Sequence, residues 1–182
     1  FGLQAFLASA NLTEKDVNIV EIGYTQQAAL TTGKVDAVVG YVNNDAVAFE
    51  QAGFPVRSLM VGKDVPLVSV SLITTRQYAE DNPELTKAVI AAMARGVSAS
   101  VDDPTQTLEI SEKYIPNSST AQARKSAKAT LEATIPLFTA DDGPNAHLSE
   151  DQFAAMAKFM RAQGLIATDV DASKSMTNDY VD

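Results

Sequence analysis

Residues 30–53 read "LTTGKVDAVVGYVNNDAVAFEQAG". Their interpretation decides the fold class. "VDAVVGY", 35–41, is a short apolar run with β-branched residues and has strand character. Gly33 before it closes a short helix, "QQAALTTG". After Tyr41 the chain places Asn43, Asn44 and Asp45 in succession. It then continues as the apolar-periodic "AVAFEQAG", which Gly53 ends. Asn and Asp at that point suit a helix start. The unit is therefore strand, polar lip, helix, glycine stop.

Working outward, the same grammar recurs. "VNIVEI", 17–22, reads as a buried strand before Gly23-Tyr24-Thr25 and the helix that begins at Gln26. "PVRSLMVG", 55–62, and "LVSVSLITT", 67–75, read as two more strands. Strands alternating with helices of about ten residues predict βαβ units and a parallel sheet. From Asn82-Pro83-Glu84 onward the pattern is helical. One helix places Leu85, Ala88, Val89, Ala92, Met93, Gly96 and Val97 on one face. Asp103-Pro104 starts another, and an alanine-rich helix covers about 119–135. Ser149 with Gln152 opens a further helix that Gly164 closes, and Met176 and Tyr180 space one more turn or two. The expected architecture is α/β, with a βαβαβ part over 1–65 and a crossover strand and helical part over 66–182. The helical part has no sheet of its own to cover. Its apolar faces either form a bundle or cover a sheet supplied from outside this sequence, and the isolated strand 67–75 favours the second.

Composition bounds the function. The chain has 182 residues, 46% hydrophobic and 20% charged, with a net charge of −9. That balance argues against a nucleic-acid partner or an anionic membrane surface. No apolar run is long enough to span a bilayer. With no cysteine, disulfides, thiolate metal sites and cysteine nucleophiles are excluded. The opening "FGLQAFLASANL" already has helical spacing and no preceding cap, so the expectation is that an N-terminal part of a longer protein precedes Phe1.

In an open parallel sheet, ligands lie beyond the carboxyl ends of the strands, where helix N-termini also present free N–H groups. Three such ends are legible: Tyr24 to Gln26, Tyr41 to Asp45, and Gly62-Lys63-Asp64. Asn offers donor and acceptor, Asp accepts, and Tyr adds a flat face for stacking. The candidate ligand-binding residues are Tyr41, Asn43, Asn44, Asp45, Tyr24 and Gln26. Each also has an ordinary reading as a cap, a solvated side chain or a sheet edge. His147, the only histidine, reads as a surface residue. Asp141 to Asn145 lacks the spacing of a calcium loop and reads as a turn. The basic stretch "KYIPNSSTAQARKSAK" reads as a solvated face. No phosphate loop, nucleophile elbow or zinc helix motif is present. No catalytic residue, metal or cofactor is expected.

On these residues the chain resembles the solute-binding proteins of ABC importers, in the nitrate, sulfonate and thiamine-precursor group. "LTTGKVDAVVG" is similar to that group's L-x-x-G-K-V-D-A pattern. "SLITTRQYAEDNPELTKAVIAAMARGVSASVDDP", "LSEDQFAAMAKFMRAQGLI" and "MTNDYV" resemble segments that follow. "GYVNNDA" is similar to the G-Y-x-N-N-E-P segment of binding proteins for thiamine pyrimidine precursors. The resemblance implies a two-lobed periplasmic-binding-protein type II fold, a monomer that closes over a small ligand and presents it to an ABC transporter permease. It implies an extracytoplasmic location, periplasmic or lipid-anchored through an N-terminal segment. It implies that Tyr41 stacks on the ring and Asp45 accepts from its amino group. Asp45 and Ala46 depart from the Glu-Pro of that segment, which leaves a riboflavin-type or other heteroaromatic ligand open. Two alternatives stand beside it. One is the same fold holding a sulfonate or nitrate, for which Lys63 is the available cation. The other is an enzyme similar to the fungal pyrimidine synthases, whose cysteine-rich motif this chain lacks.

Overall fold

A computed structural model describes residues 2–61, 67–68, 70–139 and 146–181. The chain divides into two compact units, one formed by Phe1–Gly62 with Ala99–Gly143 and the other by Lys63–Ser98 with Pro144–Asp182.

The α-helices of the described residues are α1 (Gly2–Ser9), α2 (Gln26–Thr31), α3 (Val47–Gln51), α4 (Arg76–Asp81), α5 (Pro83–Asp102), α6 (Pro104–Ser111), α7 (Ala121–Phe138) and α8 (Glu150–Ala162). Short 3-10 turns lie at Glu14–Asp16 and Ala172–Lys174, and a π-helical turn at Val42–Ala46. The helix boundaries follow the sequence signals. Asp103, Thr120 and Ser149 each accept a bond from a backbone N–H of the first turn they cap. Pro83 and Pro104 open α5 and α6, where their missing N–H costs nothing.

Gly53 follows the Ala52 C-cap of α3. Gly53 has φ +67, its N–H donates to Glu50 O at 2.9 Å, and the Phe54 N–H donates to Phe49 O at 3.0 Å. This is the Schellman arrangement, with its apolar contact made by Phe49 and Phe54, whose rings lie 5.9 Å apart. Gly33 closes α2 in the same way, through Gly33 N to Leu30 O and Lys34 N to Ala29 O.

The parallel sheet expected from the sequence is absent: among the described residues there is no strand, so the α/β class is not the one observed. Residues 17–22, 35–41 and 55–61 run without ladder partners, as do 67–68 and 70–75. The reason is physical. A helix closes its N–H···O bonds within its own segment, whereas a strand needs a neighbour. Ile19, Val39, Leu59, Met60 and Ile73 are exposed as a result. Two smaller differences accompany this. Helix α4 forms where no helix is expected from the sequence, and the last helical turn falls at Ala172–Lys174 rather than on Met176 and Tyr180.

In the first unit, buried Ala5, Leu7, Ala29 and Phe49 mark the packed positions. The π turn and α3 both lie against α7. The half-buried residues of α7 include Ala123, Ser126, Ala129, Thr130, Ala133 and Thr134. They follow a three-and-four spacing, and their small side chains let a neighbouring backbone come close. In the second unit, Asn178 mimics a backbone partner. Its Oδ1 accepts from Leu148 N at 2.8 Å and its Nδ2 donates to Leu148 O at 2.9 Å. Arg76 Nη2 donates to Lys174 O at 3.2 Å, and α8 lies against the Ala172–Lys174 turn. On α5, Leu85, Val89 and Met93 are exposed at four-residue intervals.

Candidate functional site

The polar lip at 40–46 is built around the Tyr41 backbone. The Tyr41 carbonyl accepts from the N–H groups of Asn44, Asp45 and Ala46 at 3.1, 2.8 and 3.4 Å. Three donors converging on one carbonyl make the turn wider than an α-turn and give it its π character. The Tyr41 N–H is held from the other side, donating to Asp45 Oδ2 at 2.7 Å. An ionised acceptor makes this a charge-assisted bond, placed at the start of a helical segment where negative charge is favoured. Asp45 thus fixes the backbone on which the Tyr41 side chain is mounted.

Gly40 is part of the same device. A Cβ at Gly40 would lie 2.7 Å from Asp45 Oδ2, 2.8 Å from its Cγ and 2.9 Å from its Cβ. Only a residue without a side chain lets the carboxylate fold back over the chain. Tyr41 itself is 72% exposed, so its ring is available to an outside molecule. Asp45 is half-buried, and among the described residues its Oδ1 accepts no hydrogen bond.

Three hydrogen bonds fasten the lip and α3 to α7. Asn43 Nδ2 donates to Thr134 Oγ1 at 3.0 Å, and that hydroxyl donates to Thr130 O at 2.7 Å. Ser126 Oγ donates to Gln51 Oε1 at 2.7 Å, and Gln51 Nε2 donates to Lys125 O at 3.4 Å. The serine and the threonine are eight residues apart, about 12 Å along the helix. They hold both ends of the π turn and α3 segment.

The structure therefore brings Tyr41, Asn43 and Asp45 together on one short turn. Asn44 is exposed on the same turn. Tyr24, fully exposed, follows Gly23, and Gln26 begins α2. No hydrogen bond among the described residues joins Tyr24 or Gln26 to the Tyr41 group. Gly62, Lys63 and Asp64, the third expected strand end, lie outside the described residues, as does the Asp141 to Asn145 turn. His147 is exposed. Among the described residues no group of three or more potential metal ligands occurs.

Sequence reading missed Thr134, Ser126 and Gln51. Asn43 and Thr134 are 91 positions apart, and nothing in either neighbourhood signals the other. It also missed a bidentate ion pair between the basic stretch and the residue just before it: Arg124 Nε and Nη2 meet the Glu112 oxygens at 2.6 and 2.9 Å. This pair borders a cavity of about 370 Å³ lined by residues from Thr105 to Lys128, including Leu108, Ile115 and Ala127. None of the six predicted ligand residues lines it. Its arginine is already neutralised by Glu112, so the cavity offers no unpaired guanidinium to an anion.

The chain belongs to the NMT1/THI5-like family, whose model matches residues 2–107. It is 27% identical to the riboflavin-binding protein RibY of Chloroflexus aurantiacus, over all of this chain and 52% of that protein. It is 25% identical to a Haemophilus influenzae protein described under thiamine biosynthesis, over 90% of this chain and 51% of that one. The chain thus spans about half the length of these curated relatives. No solved structure gives a significant match. Among the described residues no helix is long and apolar enough to cross a membrane.

Proposed function

We propose that this chain belongs to an extracytoplasmic solute-binding protein, and that residues 1–65 carry part of its ligand wall. The solute is a small flat nitrogen heteroaromatic, of the thiamine pyrimidine-precursor or riboflavin type. The observation that carries this reading is the exposed Tyr41 ring held on a turn whose backbone Asp45 clamps. A ring on a fixed backbone gives stacking area while leaving only its own side-chain torsions to be ordered on binding. The unbonded Asp45 oxygen supplies an acceptor for a ring N–H or amino group. Family membership and relatives named for riboflavin binding and thiamine biosynthesis support the same ligand class. In this reading the protein is a monomer that delivers its solute to an ABC transporter permease and performs no reaction. Tyr24, Gln26 and Asn44 are secondary contacts.

Titration of the full-length protein tests it. At a hundredfold excess over its dissociation constant, riboflavin or a 4-aminopyrimidine is expected to add about 2.7 kcal/mol of stability. Nitrate and taurine are expected to add none, because Asp45 repels an anion at the lip. Asp45→Asn keeps an oxygen for the Tyr41 N–H but removes the charge, and is expected to weaken binding by about 1–3 kcal/mol. Stabilisation by nitrate or taurine alone would replace this reading with the oxyanion one. Turnover of the bound pyrimidine would replace it with the enzyme.

A further inference from the structure

We infer that Thr134, on α7, decides which hydrogen-bonding face Asn43 offers and so makes the lip select ligands that carry N–H donors. The inference rests on the ligand reading above and deepens it. A threonine hydroxyl has one hydrogen to give and lone pairs to receive. The Thr134 hydrogen is committed to the Thr130 carbonyl at 2.7 Å. Toward Asn43, 3.0 Å away, Thr134 therefore has only a lone pair to present. An amide can meet a lone pair only with its NH2. The alternative orientation, amide oxygen against hydroxyl oxygen, would set two acceptors face to face.

Asn43 thus arrives at the lip with its orientation fixed. One N–H is spent on α7, while both lone pairs of Oδ1 stay uncommitted among the described residues. Two positions on, Asp45 has only lone pairs to offer, and one of its oxygens is taken by the Tyr41 N–H. On the turn that carries Tyr41, the uncommitted groups of Asn43 and Asp45 are therefore mostly acceptors: the two Oδ1 atoms stand against one remaining Asn43 N–H. A ring that presents N–H groups is matched, whereas one that presents only acceptors or alkylated nitrogens leaves these oxygens unpaired on burial, which is costly. Thr134 is a positioning residue: it acts through Asn43.

The test uses the full-length protein and two matched pairs of probes. One pair is 4-amino-2-methylpyrimidine and its 4-dimethylamino counterpart; the other is lumiflavin and N3-methyllumiflavin. Within each pair the N–H donor is replaced by N-methyl, and the Thr134→Val comparison separates loss of the donor from the added bulk, which is the same in both proteins. Calorimetric titration is expected to favour the N–H compound of the pair that binds by about tenfold or more in wild type. Thr134→Val keeps the shape of the side chain and removes the hydroxyl, and is expected to shrink that ratio at least about fivefold. Thr134→Ser is expected to restore it, because the hydroxyl relay returns. A second readout does not need ligand. The Asn43 side-chain N–H donated to Thr134 should exchange slowly with water in the wild type, and in Thr134→Val both N–H groups should exchange like an exposed amide. A wild type that discriminates, with a Thr134→Val variant that discriminates equally, overturns the role of Thr134 and leaves the ligand reading standing. An Asn43 amide that already exchanges freely in wild type overturns it as well. A wild type that binds none of the four probes overturns both.

Discussion

Residues 17–22 and residues 40–49 have opposite fates. "VNIVEI" is apolar, β-branched and bounded by turn residues, yet it has no ladder partner, and Val17, Ile19 and Val20 are exposed. "GYVNNDAVAF" carries three amide or acid side chains in sequence, yet it is closed at its own backbone, tied to α7 and anchored by Phe49 at 3% exposure. Apolar content alone does not make an element. What fixes a segment is a partner for its backbone groups, and those of 40–49 are supplied largely from within six residues.

The largest test of that contrast is truncation. Phe49→Ala removes a buried ring packed at a 40° tilt against Phe54 and is expected to cost about 3–5 kcal/mol in urea denaturation. Ile19→Ala, in the exposed segment, is expected to stay within about 0.5 kcal/mol. Equal costs would mean that 17–22 is packed after all. Next in size is Gly40→Ala. The new Cβ displaces the Asp45 carboxylate from the Tyr41 N–H, so the loss should be about 1–3 kcal/mol. The double variant with Asp45→Ala should cost little more than either single change, since both remove one bond. Additive losses would separate the two residues.

A smaller effect is expected at the start of α7, the helix that holds the lip. Thr120 accepts from Ala123 N at 3.1 Å, and Thr120→Ala should cost about 1 kcal/mol of stability. Loss of the cap should also speed exchange of the first-turn amides, and unchanged exchange would show that α7 is held by its stripe alone. The smallest effect is a pH dependence at the Glu14–Asp16 turn. The Thr13 backbone N–H, and then the Thr13 hydroxyl, donate to Asp16 Oδ2 at 2.8 and 2.9 Å and hold its carboxyl below the ordinary value. A depressed folded pKa stabilises the turn above the unfolded carboxylate pKa, near 3.9, and that contribution vanishes as pH falls through the folded value. The Thr13 amide resonance should move only below about pH 4 and should lose its titration in Asp16→Asn. A shift centred above pH 5 would contradict the assignment.

The legible part of this molecule is local. Gly33, Gly53 and Gly164 ended helices where the sequence placed the ends, and Asp103 and Ser149 began them, because caps and stops act over three to six residues; for α7 the helix was legible but its Thr120 cap was not singled out. Tyr41, Asn43 and Asp45 could be read as one group because they share a single turn. The role of Asp45 as a clamp on the Tyr41 backbone was foreshadowed only by the general tendency of Asp to cap. Tyr24 and Gln26 were grouped with Tyr41 through an expected sheet that would have aligned the strand ends. Without a sheet among the described residues, that reason for placing them together is gone.

By itself the sequence determined where most of the longer helices start and stop, which residues crowd one lip, and that this chain supplies no cysteine chemistry. All of these depend on neighbours a few bonds away. The tertiary structure alone decided whether the apolar runs pair, which helix supports the lip, and which end of the Asn43 amide is held. Those outcomes require a hydrogen-bond partner from a distant part of the chain, and for Asn43 that partner is Thr134, 91 residues on.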